Sequence, residues 1–160
     1  MKRITGKTVI DLQVNGYTYS VPAYPFQTLL DVLRDEMGLS GCRPGCENGD
    51  CGACTVLLDG WPMKSCLMLA VEAIGHEITT IEGLINSPLI PLFAKHFAMQ
   101  CGYCTPGFVL VCHSLLAHFP NPDDYTIESW LQSNICRCTS YEEIGVALRE
   151  AIHIKQEERA

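Results

Sequence analysis

The sequence predicts an α+β protein in two parts, a strand-rich first half with one helix and a second half of four helices. Three observations carry this. Asn15-Gly16 and Asp59-Gly60 each lie between short apolar runs, as two-residue hairpin turns do. After Gly83 the apolar spacing changes to helical periods. Each later apolar stretch opens on a capping residue, twice followed by proline, and the connections are short.

Each element has its own signal. Ile10, Leu12 and Val14 alternate with polar residues, and Tyr17, Tyr19 and Val21 alternate on the return. Thr28 is placed to cap a helix with Leu29, Leu30, Val32 and Leu33 on its apolar side, and Gly38 stands where it should stop. A loop rich in cysteine and glycine runs from Gly41 to Ala53. An apolar strand, Thr55 to Leu58, then turns at Asp59-Gly60 and returns from Trp61 to Ser65. A short helical stretch around Leu67 to Ala70 and a strand near Glu77 to Ile81 close the first half.

Ser87-Pro88 reads as an N-cap with proline at N1, opening a helix towards Met99. Thr105-Pro106 repeats the arrangement for a longer helix ending near His118. Pro120 and Pro122 punctuate a loop, after which Thr126 caps a short helix through Trp130 and Leu131. Ser140 with Glu143 matches a capping box for a helix towards Lys155, and Gln156 to Ala160 read as a loose tail. The change of pattern divides the chain into residues 1–82 and 83–160.

Composition narrows the function. Hydrophobic residues make up 48% of the 160 and charged residues 18%, enough apolar content to bury a core. Eighteen acids against eleven bases give a net charge of −7, which argues against a nucleic-acid-binding surface. No apolar run approaches the ~20 residues of a membrane span; the longest, Gly107 to Leu116, carries His113. Lys2, Arg3 and Lys7 are followed by Asp11 rather than an apolar h-region, so the expected compartment is the cytoplasm. There, ten cysteines need a chemical explanation other than disulfides.

Cys46, Cys51 and Cys54 are spaced C-x4-C-x2-C, with Cys66 downstream: the spacing of plant-type [2Fe–2S] ferredoxins. Gly45, Gly49 and Gly52 let the loop turn tightly and bring backbone N–H groups towards an anionic cluster. Zinc is the competing occupant, although its knuckles favour paired C-x2-C motifs. Cys101-x2-Cys104 and Cys136-x-Cys138 form a second set. A helical hairpin between them brings the two pairs to one end of a bundle, with Cys104 and Cys138 just before helix N-termini. By itself this set suits zinc as well as iron; beside the first motif, a second cluster is favoured.

The resemblance is specific. Residues 45–60, Gly-Cys-Glu-Asn-Gly-Asp-Cys-Gly-Ala-Cys-Thr-Val-Leu-Leu-Asp-Gly, are similar to the ferredoxin loop of the small iron–sulfur subunit of molybdenum hydroxylases, the xanthine dehydrogenase family. Residues 100–107, Gln-Cys-Gly-Tyr-Cys-Thr-Pro-Gly, and 134–139, Asn-Ile-Cys-Arg-Cys-Thr, resemble the family's second cluster motif. The resemblance implies a β-grasp ferredoxin-like domain followed by an all-α four-helix-bundle domain, each with one [2Fe–2S] cluster. It assigns Cys46, Cys51, Cys54 and Cys66 to the first cluster and Cys101, Cys104, Cys136 and Cys138 to the second. It also implies an electron-transfer role between a molybdopterin-binding large subunit and an FAD-binding medium subunit. Gln100 and the Cys138 sulfur are implied to lie against the pterin. Xanthine is the expected substrate on family frequency, with aldehydes, carbon monoxide and other N-heterocycles open. The family usually has glycine where this chain has Ser133 and Ser140.

Cys42 is the rival to Cys66 as fourth ligand, and Cys112, on an apolar helix face, reads as a core residue. His113 and His118 are five apart, off the spacing of a helical metal pair; they, His76, His96 and His153 read as surface or core histidines. Trp61 and Trp130 read as packing. No catalytic triad, carboxylate pair or phosphate loop stands out, so substrate chemistry is not expected in this chain. Two rival functions remain, a free-standing ferredoxin and a zinc-stabilised interaction module. Co-purification of large subunits separates the first, visible absorption the second.

Overall fold

The computed structural model describes residues 6–157 and Arg159; the basic Lys2 and Arg3 lie outside them. Strands β1 (Thr8–Val14) and β2 (Tyr17–Ala23) pair antiparallel with Val14 opposite Tyr17. Asn15 and Gly16 turn the chain at φ 53° and 81°, the left-handed pair such a turn requires. Alternation buries Ile10, Leu12, Val14, Val21 and Ala23.

Helix α1 (Leu29–Asp31) starts on a full capping box: Asp31 N–H donates to Thr28 Oγ1 (3.1 Å) and Thr28 N–H to the Asp31 carboxylate (3.0 Å). It widens into a π-helical turn, Val32–Glu36, before Gly38 at φ 72°. Strands β3 (Thr55–Leu58) and β4 (Trp61–Lys64) form the second hairpin, and β5 (Glu77–Thr79) completes the order β2-β1-β5-β3-β4. β5 runs parallel to β1 and antiparallel to β3. Leu29, Leu30, Val32 and Leu33 pack with Leu12, Val14, Val56 and Ile78 in one core. A mixed sheet closed over one helix is the β-grasp arrangement.

Two boundaries differ from the sequence expectation. Residues 67–69 are not helical: Leu67 closes a turn on Lys64 O (3.0 Å), and the next two residues meet the start of α1, where Leu29 N–H donates to Met68 O (2.7 Å) and Leu69 pairs with Thr28. The helical turn comes later, as a 3-10 segment at Ala70–Ala73. β5 stops at Thr79, since Thr80 is engaged by Asn15 through both its N–H (2.9 Å) and its hydroxyl (2.9 Å).

The second half contains α2 (Leu89–Lys95), α3 (Thr105–His118), α4 (Asp124–Leu131) and α5 (Tyr141–Glu157) around Phe93, Phe108, Leu115, Ile144 and Leu148. α2 ends at Lys95 rather than near Met99, because Phe97 takes φ 54°. Asp123, not Thr126, caps α4, accepting from Thr126 N–H at 2.8 Å. Thr105 is the first residue of α3, behind Cys104, instead of its cap. Ser140 Oγ accepts from Glu142 N–H (3.2 Å) and donates to the Glu143 carboxylate, replacing the expected reciprocal box. α5 continues past Lys155 through Gln156 and Glu157, two residues of the expected tail; Gln156 is held by Asn121 (2.7 Å). Among the described residues, no helix is long and apolar enough to cross a membrane.

α3 joins the halves. Ser114 Oγ donates to Gly60 O in the β3–β4 turn (2.6 Å), and His118 packs on Trp61 with ring centroids 3.7 Å apart.

Candidate metal centres

The loop before β3 carries Cys46, Cys51 and Cys54, and Cys66 comes to it from beyond β4. Cys51 N–H points at Cys46 Sγ (3.2 Å) and Ala53 N–H at Cys51 Sγ (3.5 Å). Donation from the Cys51 and Asn48 backbones pulls the Cys46 thiol down to about 7, since N–H groups stabilise a thiolate. Cys66, just after β4, lies within side-chain hydrogen-bonding reach of Cys54, and burial pushes it up to about 11. A side chain on Gly45 would place its Cβ 2.5 Å from Cys51 Sγ, so glycine keeps that side of the loop open.

The second set forms where two loops of the helical half meet. Cys138 and Cys101 sulfurs are 3.5 Å apart and exposed, while Cys104 and Cys136 face each other deeper in. Thr139 N–H donates to Cys136 Sγ (3.2 Å). The Thr105 and Thr139 hydroxyls, each following a cysteine of this set, are buried without a partner.

These features fit iron–sulfur clusters. The thiols meet in pairs, Cys46 with Cys51, Cys54 with Cys66, Cys101 with Cys138 and Cys104 with Cys136. Paired thiols suit a two-iron core, in which each iron takes two cysteines and shares sulfide with its neighbour; tetrahedral zinc asks four ligands to meet at one point. The inward N–H groups and the two unpartnered hydroxyls offer donors to an anionic sulfur cluster.

Three groups of contacts lock the thiol loops together. Ile135 N–H donates to Cys51 O (2.9 Å), joining a residue of the first set to the neighbour of Cys136. Arg43 donates to Gly102 O (2.5 Å) with its guanidinium 5.3 Å from the Tyr103 ring centroid, and Tyr103 OH donates to Pro44 O. Lys64 Nζ donates to Asn134 Oδ1 (2.7 Å), Ser133 O (2.7 Å) and Thr55 Oγ1 (3.3 Å). Asn134 is fully buried between two close-approach glycines: a side chain on Gly52 would overlap Asn134 Oδ1, and one on Gly107 would overlap Gly52 O. No sequence pattern marks Lys64, Asn134 or Arg43 for this role. The legible signal is the glycines, since Gly52 and Gly107 mark close backbone approach.

The remaining candidates fall apart from the thiol sets or at their rim. Gln100 is exposed, immediately before Cys101. Cys42 is buried, and burial pushes its thiol up to about 12, with Glu82 and Cys54 adding to the rise. Cys112 is in the core of the helical half, also near 12 through burial. His76 pairs with Asp59 (2.5 Å), His96 with Glu150, and His153 faces Glu157 (3.5 Å). A cavity of about 550 Å³ between α4 and α5 contains no thiol, and its Arg149 is paired with Asp124 (2.8 Å). A smaller one, about 200 Å³, is lined by Cys51, Cys101, Cys104, Cys136 and Cys138 at the junction of the two sets.

Comparison with known proteins agrees with this geometry. Residues 12–76 match the model of a 2Fe-2S iron-sulfur cluster binding domain, and residues 80–149 that of a [2Fe-2S] binding domain. The chain is 42% identical over 150 residues to the nicotinate dehydrogenase small FeS subunit of Eubacterium barkeri, covering 91% of this chain and 96% of that protein. It is likewise 42% identical over 149 residues to a subunit of a probable xanthine dehydrogenase of Bacillus subtilis, covering 91% and 84%. In structure it superposes on a chain of quinoline 2-oxidoreductase from Pseudomonas putida 86 with a TM-score of 0.89 at 39% identity, covering 98% of this chain and 99% of that one.

Proposed function

The chain belongs to the small [2Fe–2S] subunits of the molybdenum hydroxylase family and is an electron-transfer subunit of an oxidoreductase, and from that premise we propose how its residues divide the work. Cys46, Cys51, Cys54 and Cys66 hold one cluster; Cys101, Cys104, Cys136 and Cys138 hold the other. When bound, the clusters carry single electrons from a molybdopterin cofactor on a large partner subunit towards FAD on a medium one. The observation that carries this reading is the pairwise meeting of two thiol sets on loops joined by the Ile135 N–H to Cys51 O bond.

The protein's own work is to hold and tune. Cys101 and Cys138 sit at the exposed rim with Gln100 beside them, so this rim is where the pterin is received. The Gln100 amide would offer donors and an acceptor to a polar ring edge, and the exposed Cys138 Sγ would offer an acceptor to a ring amino group. At the other set, the Cys51 and Ala53 N–H groups keep sulfur charge stabilised. The substrate is chosen by the partner. Nicotinate, xanthine and quinoline in the relatives' names favour an aromatic N-heterocycle, purines such as xanthine included, ahead of an aldehyde or carbon monoxide. A cytoplasmic location suits the unpaired thiols Cys42 and Cys112.

Iron content of two variants tests the ligand sets. Cys66→Ser is expected to lose the first cluster, whereas Cys42→Ser keeps both. The reverse pattern would hand the fourth position to Cys42.

A further inference from the structure

We propose that Lys64 couples the two centres: it pins the loop entering the second thiol set and lays an uncompensated positive charge beside the first. The inference rests on the ligand sets proposed above.

Lys64 ends β4, two residues before Cys66, and is half-buried. Its ammonium has three donors, and three oxygens receive them. Two belong to Ser133 and Asn134, across the junction and just ahead of Cys136. All three are neutral, and among the described residues Lys64 forms no salt bridge within 4.0 Å. The Asn134 amide orientation follows from this contact: turned over, its NH2 group would face the ammonium. As oriented, Nδ2 is buried and unpartnered, a cost borne at the junction to keep Oδ1 on Lys64.

A half-buried ammonium with no carboxylate needs an anion elsewhere. Geometry places that anion at the first set: Thr55, whose Oγ1 lies 3.3 Å from Lys64 Nζ, adjoins Cys54, a Cβ on Gly52, next to Cys51, would lie 2.8 Å from Nζ, and Cys66 follows two residues on. A fixed positive charge there favours the state with one more electron. One electron moving between the centres adds one negative charge beside Lys64 and removes one from the far set, with no proton or co-reactant required. Lys64 therefore biases electron occupancy towards the ferredoxin-side centre, which is the direction of flow proposed above. Through Ser133 and Asn134 it also fixes the separation over which the electron moves.

The test uses the assembled holoenzyme, partly reduced and frozen, with EPR measuring the share of electrons on each centre and the magnetic interaction between them. Two signals in the unmodified enzyme establish the ligand reading before any variant is made, so its failure is seen separately. Lys64→Gln removes the charge and keeps a donor; Lys64→Met removes both and serves as a second neutral variant; Lys64→Arg keeps the charge. Both neutral variants are expected to shift occupancy towards the helical-side centre by on the order of tenfold, and arginine to retain the normal partition. The magnetic interaction should change in the methionine variant and persist in the glutamine one. Normal occupancy in both neutral variants overturns the proposal.

Discussion

A single methyl group at Gly52 probes how the two halves are held. Gly52 has φ +71°, so Gly52→Ala incurs the left-handed penalty of about 1–2 kcal/mol. The methyl also overlaps the Oδ1 and Cγ atoms of Asn134, which is fully buried and receives Lys64 at 2.7 Å. Displacing that amide breaks a hydrogen bond to a charged group, worth about 1.5–3 kcal/mol. The expected loss is about 2.5–5 kcal/mol. Gly16 supplies the control: its φ is +81°, and a side chain there meets open space, so Gly16→Ala should lose only about 1–2 kcal/mol. Thermal melts of the iron-loaded chain, followed by circular dichroism and by visible absorption, read the difference. At about 2–4 °C per kcal/mol for a chain of this size, Gly52→Ala should melt roughly 3–12 °C below Gly16→Ala. Equal losses in the two variants would refute the view that the Asn134 wedge joins the halves.

Three further outcomes follow from the same structure. Leu148→Ala, at a fully buried position of the helical core, should cost about 2–5 kcal/mol in a denaturation midpoint, while Tyr125→Ala, at 80% exposure, should stay within about 0.5 kcal/mol. Glu150 is held below its ordinary 4.5 first by Lys95 and then by His96; a lowered carboxyl pKa stabilises the fold above that value and loses the contribution as pH falls through the lowered one. Glu150→Gln should therefore be less stable than the parent near neutrality, with the gap closing on acidification below 4.5; a gap that is constant with pH would contradict the pairing. Gln100→Ala should keep its iron yet slow substrate-driven reduction of the helical-side centre in the assembled enzyme, and unchanged kinetics would remove Gln100 from the pterin contact.

Elements fixed by neighbours in sequence are legible without the structure. Asn15-Gly16 and Asp59-Gly60 set both hairpins through local φ values, and Thr105-Pro106 marks the start of α3. The cysteine spacings, too, separate two groups, with Cys42 left as the rival to Cys66 for the fourth place in the first. What stays hidden depends on partners distant in sequence. Residues 67–69 are helix-compatible alone, but Met68 and Leu69 are held out of a helix because Leu29 and Thr28 take their backbone groups. Thr126 reads as the cap on paper, yet its own N–H is taken by Asp123 three residues earlier, so the helix opens a turn sooner. The junction is the least legible part: Lys64 and Asn134 stand 70 positions apart, and no local pattern announces that a surface-type lysine on a hairpin will reach a buried amide. Arg43 and Gly102 are 59 apart and equally silent.

The central claim is that two sets of four cysteines each hold a two-iron cluster in one small chain. Iron and acid-labile sulfide analysis of the purified protein, with EPR of the reduced sample, tests it most directly. The account predicts four irons and four sulfides per chain and two magnetically distinct signals. Full loading with two irons and one signal, or zinc in either set, would contradict it.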